Sequence, residues 1–390
     1  MRIGIDTAPI VQHRNRGVGA LGGFLLEALL RAEGSHHYLL FTPGGVEGAS
    51  FGVASTSNAE TISRAGCGGV FSFSWIRDAL HLHGQVKLAR PDVLHAYFQW
   101  NLPLRRMSVP VVGSVYDLMP LAVKDIYLDR YALPVRAKIG MYSRYLSYAL
   151  GRVDRVIAIS EHSRADLVRL MGFPEDRVHV VYPAPAPGMV VPENDNEIHL
   201  LRERLDLEND YLLYVGGFDY RKNLEVLLGA YGKARKRGMD LSLVLAGDMS
   251  SPYGRLIQNL INEAGGERAG IRLLGHIADN DLPTLYAGAR LFLYPSLYEG
   301  FGLPVLDAMA CGTPVISSMA ASLPEAGGDT AILLDPNDEE AWATAIFNAA
   351  EVGDAYEEMR LSGIRHASGF TWDRAAKETM AIYEMLAGQP

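Results

Sequence analysis

Short apolar runs rich in β-branched and aromatic residues alternate with longer stretches of helical period along the whole chain. This alternation constrains the fold more than any other feature. Runs without polar interruption suit strands buried on both faces of a parallel sheet. The strands expected in the first half are Arg2–Asp6, Tyr38–Phe41, Val93–Ala96, Val111–Val115, Arg155–Ile159 and Val178–Val181. The second half offers Tyr211–Val215, Ser242–Ala246, Ile271–Leu274, Leu291–Tyr294, Pro314–Ser317 and Ala331–Leu334. Helical segments between them complete βαβ units, which cross over right-handed. The expected class is α/β, doubly wound.

A break divides the series. Pro183-Ala184-Pro185-Ala186-Pro187-Gly188 suits neither a helix interior nor a central strand. The expected organisation is a domain over residues 1–190, a second over 191–370, and a final helix, about Trp372–Ala387, that has no strand after it and can cross back to the first domain. Ligands of such sheets bind beyond the C-terminal strand ends, so a cleft between two facing halves is the expected site.

Composition narrows the function. A net charge of −9 argues against a nucleic-acid partner, which needs a basic footprint. Two cysteines, Cys67 and Cys311, give neither a disulfide framework nor a CxxC metal spacing. The opening MRIGIDTAPI reads as a strand rather than a signal peptide, and no apolar stretch approaches the ~20 residues that span a bilayer. A cytoplasmic enzyme is expected, able to rest on the inner face of the membrane. The stretch Arg130–Val153 bears on that point. It carries Arg130, Arg136, Lys138, Arg144 and Arg152 among four tyrosines and no acid. Such a helix can lie on an anionic membrane or pack with a solvated basic edge.

Three motifs carry chemistry. Gly17-Val18-Gly19-Ala20-Leu21-Gly22 fits G-x-G-x-x-G and opens a helical pattern. In dinucleotide enzymes these glycines follow the first strand at once; here Thr7–Arg16 intervenes, and Tyr38–Phe41 ends without a ribose-binding acid, which disfavours an NAD dehydrogenase. Two readings stay open: N–H groups at Gly17 and Gly19 that approach a phosphate at a helix start, or a turn without a ligand.

In Tyr214–Leu224 a strand runs into Gly216-Gly217, and the adjacent cations Arg221 and Lys222 precede a helix with Asn223 as its expected N-cap. Cations at a helix N-terminus oppose the dipole, so an anion there gives them a reason. A departing diphosphate is such an anion. In Pro295–Ala310 a strand leads through Glu299-Gly300-Phe301-Gly302 into a helix begun by Leu303 and Pro304, with Asp307 about one turn in. Two carboxylates flanking that turn can reach opposite ends of one ligand. Asp279-Asn280-Asp281 looks like a D-x-D metal motif, but it directly precedes a helix and reads better as its N-cap. No bound metal is expected.

In this order the motifs resemble glycosyltransferase family 4, most strongly across Tyr211–Pro336, with GVGALGG, SVYDLMPL and VIAISEHSRADL fitting in the first half. The subset it most resembles includes bacterial mannosyltransferases of surface-polysaccharide assembly. The resemblance implies the GT-B fold, two Rossmann-like domains facing a central cleft. It also implies retaining, metal-independent transfer from a nucleotide-sugar donor, with no separate cofactor. GDP-mannose is the first expectation and a UDP-sugar the second. The acceptor would be a saccharide or a lipid-linked saccharide. By the same resemblance Arg221 and Lys222 meet the diphosphate, with Gly17, Gly19 and Gly217 close by. Glu299 contacts the transferred sugar, and Gly300, Phe301, Gly302 and Leu303 lend backbone groups. His276 and Ile277 approach the base. Asp307 stands where a ribose-binding Glu is usual, and Tyr116, before Asp117, stands where a His is usual. The implied catalytic set is Glu299, Arg221, Lys222, Asp117 and Tyr116, and His95 is a further candidate at a strand end. A sugar-nucleotide epimerase, a phosphorylase and a non-catalytic nucleotide-sugar-binding protein are the alternatives.

Overall fold

The computed structural model describes residues 1–12, 17–32, 34–43, 58–64, 74–128, 133–207, 210–349 and 353–388. Cys67, Arg130 and Tyr131 lie outside them. The chain divides into two compact units. One holds Met1–Lys124, Leu128–Pro183 and Thr371–Pro390; the other holds Asp125–Tyr127 and Ala184–Phe370.

The first unit is built on seven parallel strands. They are β1 (Arg2–Asp6), β2 (His37–Pro43), β3 (Ala59–Arg64), β4 (Val93–Ala96), β5 (Val111–Val115), β6 (Arg155–Ala158) and β7 (Val178–Val180). Their order is β3-β2-β1-β4-β5-β6-β7. Residues of β2 show why the sheet is covered on both faces. Tyr38 and Leu40 join Ile3, Leu26 and Leu29 on one side, while Leu39 and Phe41 join Leu94, Val115 and Leu146 on the other. Each fully buried side chain of this size contributes about 1.5–3 kcal/mol relative to exposure.

The second unit repeats the plan with β8 (Tyr211–Val215), β9 (Ser242–Ala246), β10 (Ile271–Gly275), β11 (Ala289–Tyr294), β12 (Val315–Ser318) and β13 (Ile332–Leu334). The order is β10-β9-β8-β11-β12-β13, again parallel throughout. Both sheets follow the doubly wound order, in which the direction of strand addition reverses beside the first strand. Those reversals, β1 with β4 and β8 with β11, are where a ligand crevice forms.

Most expected strands form within a residue or two of their predicted limits. Strand β3 was not expected. Its sequence AETISR has no apolar run, and it lies at the sheet edge, where one side needs no burial.

The helix Trp372–Ala387 belongs to the first unit although it follows the second in sequence. Thr371 caps it by accepting from Arg374 N–H. Its buried face (Ala375, Ala376, Ile382, Tyr383, Leu386) packs with the helix Gly17–Arg31 and the sheet. His95 of β4 fastens it there. The His95 ring lies 2.5 Å by Nδ1 from the Tyr383 hydroxyl and 2.8 Å by Nε2 from Ser114 Oγ. Burial lowers the His95 pKa to about 3, so the ring stays neutral. Both ring nitrogens are thereby occupied inside the unit, and His95 is a fastening rather than a site residue.

Tyr383→Phe leaves His95 Nδ1 without its partner. The expected cost is about 1–3 kcal/mol to the first unit, read as a lowered denaturant midpoint. An unchanged midpoint would refute the fastening.

Candidate active site

The second unit's site grows from the loops after β8 and β11. Strand β8 ends at Val215 and the chain turns through Gly216-Gly217. The approach to the neighbouring loop is close: a Cβ on Gly247 would lie 1.8 Å from the Gly216 carbonyl oxygen, so glycine is required there. A Cβ on Gly217 meets nothing within 4 Å. Asp219 then accepts from Arg221 N–H at 3.1 Å and organises the short turn Tyr220–Lys222.

Asn223 does not cap the following helix as expected. It adopts a left-handed conformation, φ 55°, and its side-chain amide donates to the carbonyls of Pro295 and Pro336 at 3.3 and 2.6 Å. The loops after β8, β11 and β13 are tied together in this way. Arg221 adds to the tie, since its carbonyl accepts from Leu297 N–H at 2.7 Å and from Ser296 Oγ at 3.1 Å.

At the centre of these loops sits the Glu299 carboxylate. Its Oε1 accepts from Arg221 Nη1, Lys222 Nζ and Ser296 Oγ, each at 2.6 Å, and from the Tyr294 hydroxyl at 3.1 Å. Lys222 Nζ also donates to the Tyr294 hydroxyl at 2.5 Å. Ser322 Oγ donates to the Glu299 carbonyl at 2.8 Å. The side chains of Glu299 and Lys222 are only 11% and 7% exposed. Burial alone would raise the Glu299 pKa, but Arg221, Lys222 and the bonds from Lys222 and Ser296 outweigh it and bring it to about 2. Lys222 moves down to about 8, chiefly by burial and then by Arg221, against the pull of Glu299. The result is a permanently ionised carboxylate that holds two cations at the C-terminal ends of β8 and β11.

Gly302 opens the helix Leu303–Ala310 with φ 114°, and a Cβ there would press on Leu323 at 2.8 Å and Ala326 at 3.1 Å. The first N–H groups of this helix have no intrahelical acceptor and mark an anion-favouring end. Asp307, in the same helix, points its carboxylate elsewhere. Its Oδ1 accepts from Ala186 N–H at 2.9 Å, in the Pro-rich stretch. Burial raises its pKa to about 7, with the Ala186 bond opposing. His276 is exposed and Ile277 buried in the loop after β10, two strands from β8.

Asp279–Asp281 forms a short turn, and no side-chain oxygen caps the helix Leu282–Ala287. Asp281 instead pairs with Arg204 at 2.6 Å. The N-cap reading of these acids is therefore corrected. Among the described residues no group of three or more His, Cys, Asp or Glu could hold a metal ion.

The first unit's candidates lie at its own strand ends. Gly17, φ 47°, is the first residue of its helix, and Gly19 is buried two residues on. Tyr116 is buried after β5. Its N–H donates to Gln99 Oε1 at 3.2 Å, its carbonyl accepts from Ser163 Oγ at 3.1 Å, and burial pushes its hydroxyl pKa up, so it stays protonated. Asp117 Oδ1 accepts from Met119 N–H at 3.1 Å and starts the turn that follows. Tyr116 also lines a small cavity of about 30 Å³ with Ser114, Leu21, Leu25 and Trp372.

Sequence reasoning missed Tyr294, Ser296 and Gln99. The first two hold Glu299 and the third holds the end of β5. The only available signal was position, a hydroxyl at the last strand residue and another three before the acid.

Comparison with known proteins follows the same division. Residues 25–184 match the model of Glycosyltransferase Family 4, and residues 209–351 match that of Glycosyl transferases group 1. O-antigen chain mannosyltransferase B of Escherichia coli is 34% identical over 252 residues, 64% of this chain and 65% of that protein. The serotype-specific mannosyltransferase WbdA of Escherichia coli is 26% identical over 299 residues, 73% of this chain and 36% of that protein. The chain thus spans just under two thirds of one relative and about a third of the other. Among solved structures, sucrose-phosphate synthase from Thermosynechococcus elongatus superposes with a TM-score of 0.76 at 20% identity, over 99% of each chain. HepE from Anabaena in complex with UDP-glucose gives 0.72 at 17% identity, over 98% of this chain and 100% of that one. These likenesses carry the fold.

The Asp307 environment makes a pH prediction. Its folded pKa of about 7 lies above the ordinary 3.8. The unfolded chain therefore ionises first, and folding stability falls as pH rises from about 4 to about 7. Asp307→Asn keeps an acceptor for Ala186 but lacks this slope. Thermal unfolding should show the variant gaining on the parent by a few degrees, about 2–4 °C per kcal/mol, between pH 5 and pH 8. Parallel curves would refute the buried-acid assignment.

Proposed function

Because the chain belongs to glycosyltransferase family 4 and has the GT-B architecture, we propose that it transfers mannose, with retention, from GDP-mannose to a saccharide or lipid-linked saccharide in glycan assembly. The observation that carries this reading is the Glu299 carboxylate held by Arg221 and Lys222 at the β8/β11 switch point. The named relatives among the mannosyltransferases support the sugar. HepE, solved with UDP-glucose, supports a nucleotide-sugar donor class.

In this reading the donor diphosphate lies against Arg221, Lys222 and the open space at Gly217, and the N–H groups around Gly302 and Leu303 face its phosphates. The acceptor hydroxyl attacks the anomeric carbon on the face from which the diphosphate leaves. The new C–O bond forms, the bond from the anomeric carbon to the phosphate oxygen breaks, and a phosphate oxygen takes the hydroxyl proton. Nucleoside diphosphate and glycoside are the products. Charge grows on the leaving phosphate, and the two cations stabilise it where a metal ion would otherwise serve. Glu299 keeps them in place and presents its other oxygen to the sugar. Asp307 reaches the ribose only while its carboxylate also serves Ala186. Tyr116 and Asp117 serve the acceptor as hydrogen-bonding groups of the first unit. A lipid-linked acceptor brings the enzyme to the inner face of the membrane.

Arg221→Ala is expected to lower kcat for transfer by about 10²–10³, with the fold retained on thermal unfolding. Glu299→Gln should do the same while leaving an acceptor for Lys222. Near-normal turnover in either would remove the site assignment. Among GDP-, UDP-, ADP- and dTDP-sugars, GDP-mannose should raise the unfolding temperature most.

Lys222 adds a pH signature. Its protonated form is lost as pH rises through about 8, so kcat/KM for donor should fall above that pH. Lys222→Arg should flatten the alkaline limb, and an identical limb in the variant would assign the titration elsewhere.

A further inference from the structure

The basic, aromatic segment of the first unit is more specific in three dimensions than in sequence. The helix Leu133–Leu150 buries Tyr142, Leu146, Ala149 and Leu150 against the core and turns the opposite side outward. Lys138, Met141, Arg144 and Tyr148 are exposed, spaced three or four residues apart so that they form one stripe, and the half-buried Arg152 follows just past the helix end. Met141 and Tyr148 are 66% and 52% exposed. The Arg152 guanidinium lies 3.3 Å from the centre of the Tyr148 ring and donates to the Tyr148 carbonyl. No acid occurs between Arg130 and Val153, in a chain whose net charge is −9.

A second basic element is fastened to this helix. Trp100 stacks on Tyr145 with 11° between the rings, and the Tyr145 hydroxyl donates to the Leu102 carbonyl at 3.3 Å. The loop that follows exposes Arg105 and Arg106 and also contains no acid. Gln99, beside Trp100 in the same short turn, holds the end of β5 by donating to the Asp117 carbonyl at 3.1 Å. The basic surface is therefore attached to the strand ends that carry Tyr116 and Asp117.

We propose that this face of the first unit docks on an anionic phospholipid membrane, with Lys138, Arg144, Arg152 and the Arg105-Arg106 loop against the headgroups and Met141 and Tyr148 seated among them. Cations attract the charged surface, and the exposed thioether and phenol ring add the apolar insertion that a polyanion cannot use. The proposal deepens the reading of the acceptor as lipid-linked. It rests on that reading for its purpose, not for its geometry.

The test is sedimentation of the full chain with vesicles of phosphatidylcholine, with and without phosphatidylglycerol. Binding is expected only with phosphatidylglycerol, and added salt should weaken it. Lys138→Gln with Arg144→Gln should weaken it about 25-fold, roughly fivefold per cation. Met141→Ser should weaken it further while leaving binding to polyphosphate unchanged. GDP-mannose should stabilise all variants as it does the parent, which separates this test from the test of donor chemistry. Equal binding to both vesicle types, no effect of the paired glutamines in a folded variant, or binding to polyphosphate as tight as to vesicles and no effect of Met141→Ser would overturn the proposal.

Discussion

The candidate site depends on one carboxylate being ionised where burial opposes it. Glu299 Oε1 receives a guanidinium, an ammonium and two hydroxyls. Removing any one partner leaves the others facing a charge in a poorly solvated place, which costs more than the bond is worth in water. The same interaction joins the β8 loop to the β11 loop. It positions Arg221 and Lys222 before any ligand arrives, so they need no reorganisation when charge develops on a leaving group.

That arrangement is possible because of the sheet order. Parallel strands put all their C-terminal ends on one edge, and the reversal between β8 and β11 leaves a gap between consecutive loops there. Asn223 bridges three of those loops from a left-handed backbone, which an ordinary helix N-cap would not do. The first unit uses the same order with different contents. Its strand ends carry a neutral, buried Tyr116 and a neutral His95 bonded to the terminal helix.

Several expectations were legible because they depend on local pattern. Apolar runs such as Tyr211–Val215 announce buried strands, and glycine beside an acid announces the turn at Gly300–Gly302. Strand β3 was not legible, because an edge strand with one covered side carries no apolar signature. The capping roles of Asn223 and Asp281 were misread for a related reason. Residue type says that an amide or a carboxylate will find a partner, while the partners themselves, Pro295 and Pro336 for one and Arg204 for the other, are far away in sequence.

The sequence by itself determined the class of fold, and it marked a break in pattern near Pro183–Gly188 and singled out Glu299, Arg221 and Lys222 as candidates. These follow from periodicity, from proline's missing donor, and from charge placed beside glycine turns. Only the tertiary structure decided that Glu299, Arg221 and Lys222 form one bonded cluster, and that Asp307 is held by Ala186. It alone decided that His95 fastens a helix from the far end of the chain. Bonds between residues that far apart depend on strand order and crossover direction, and one-dimensional pattern carries no record of which loops the sheet will bring to the same edge.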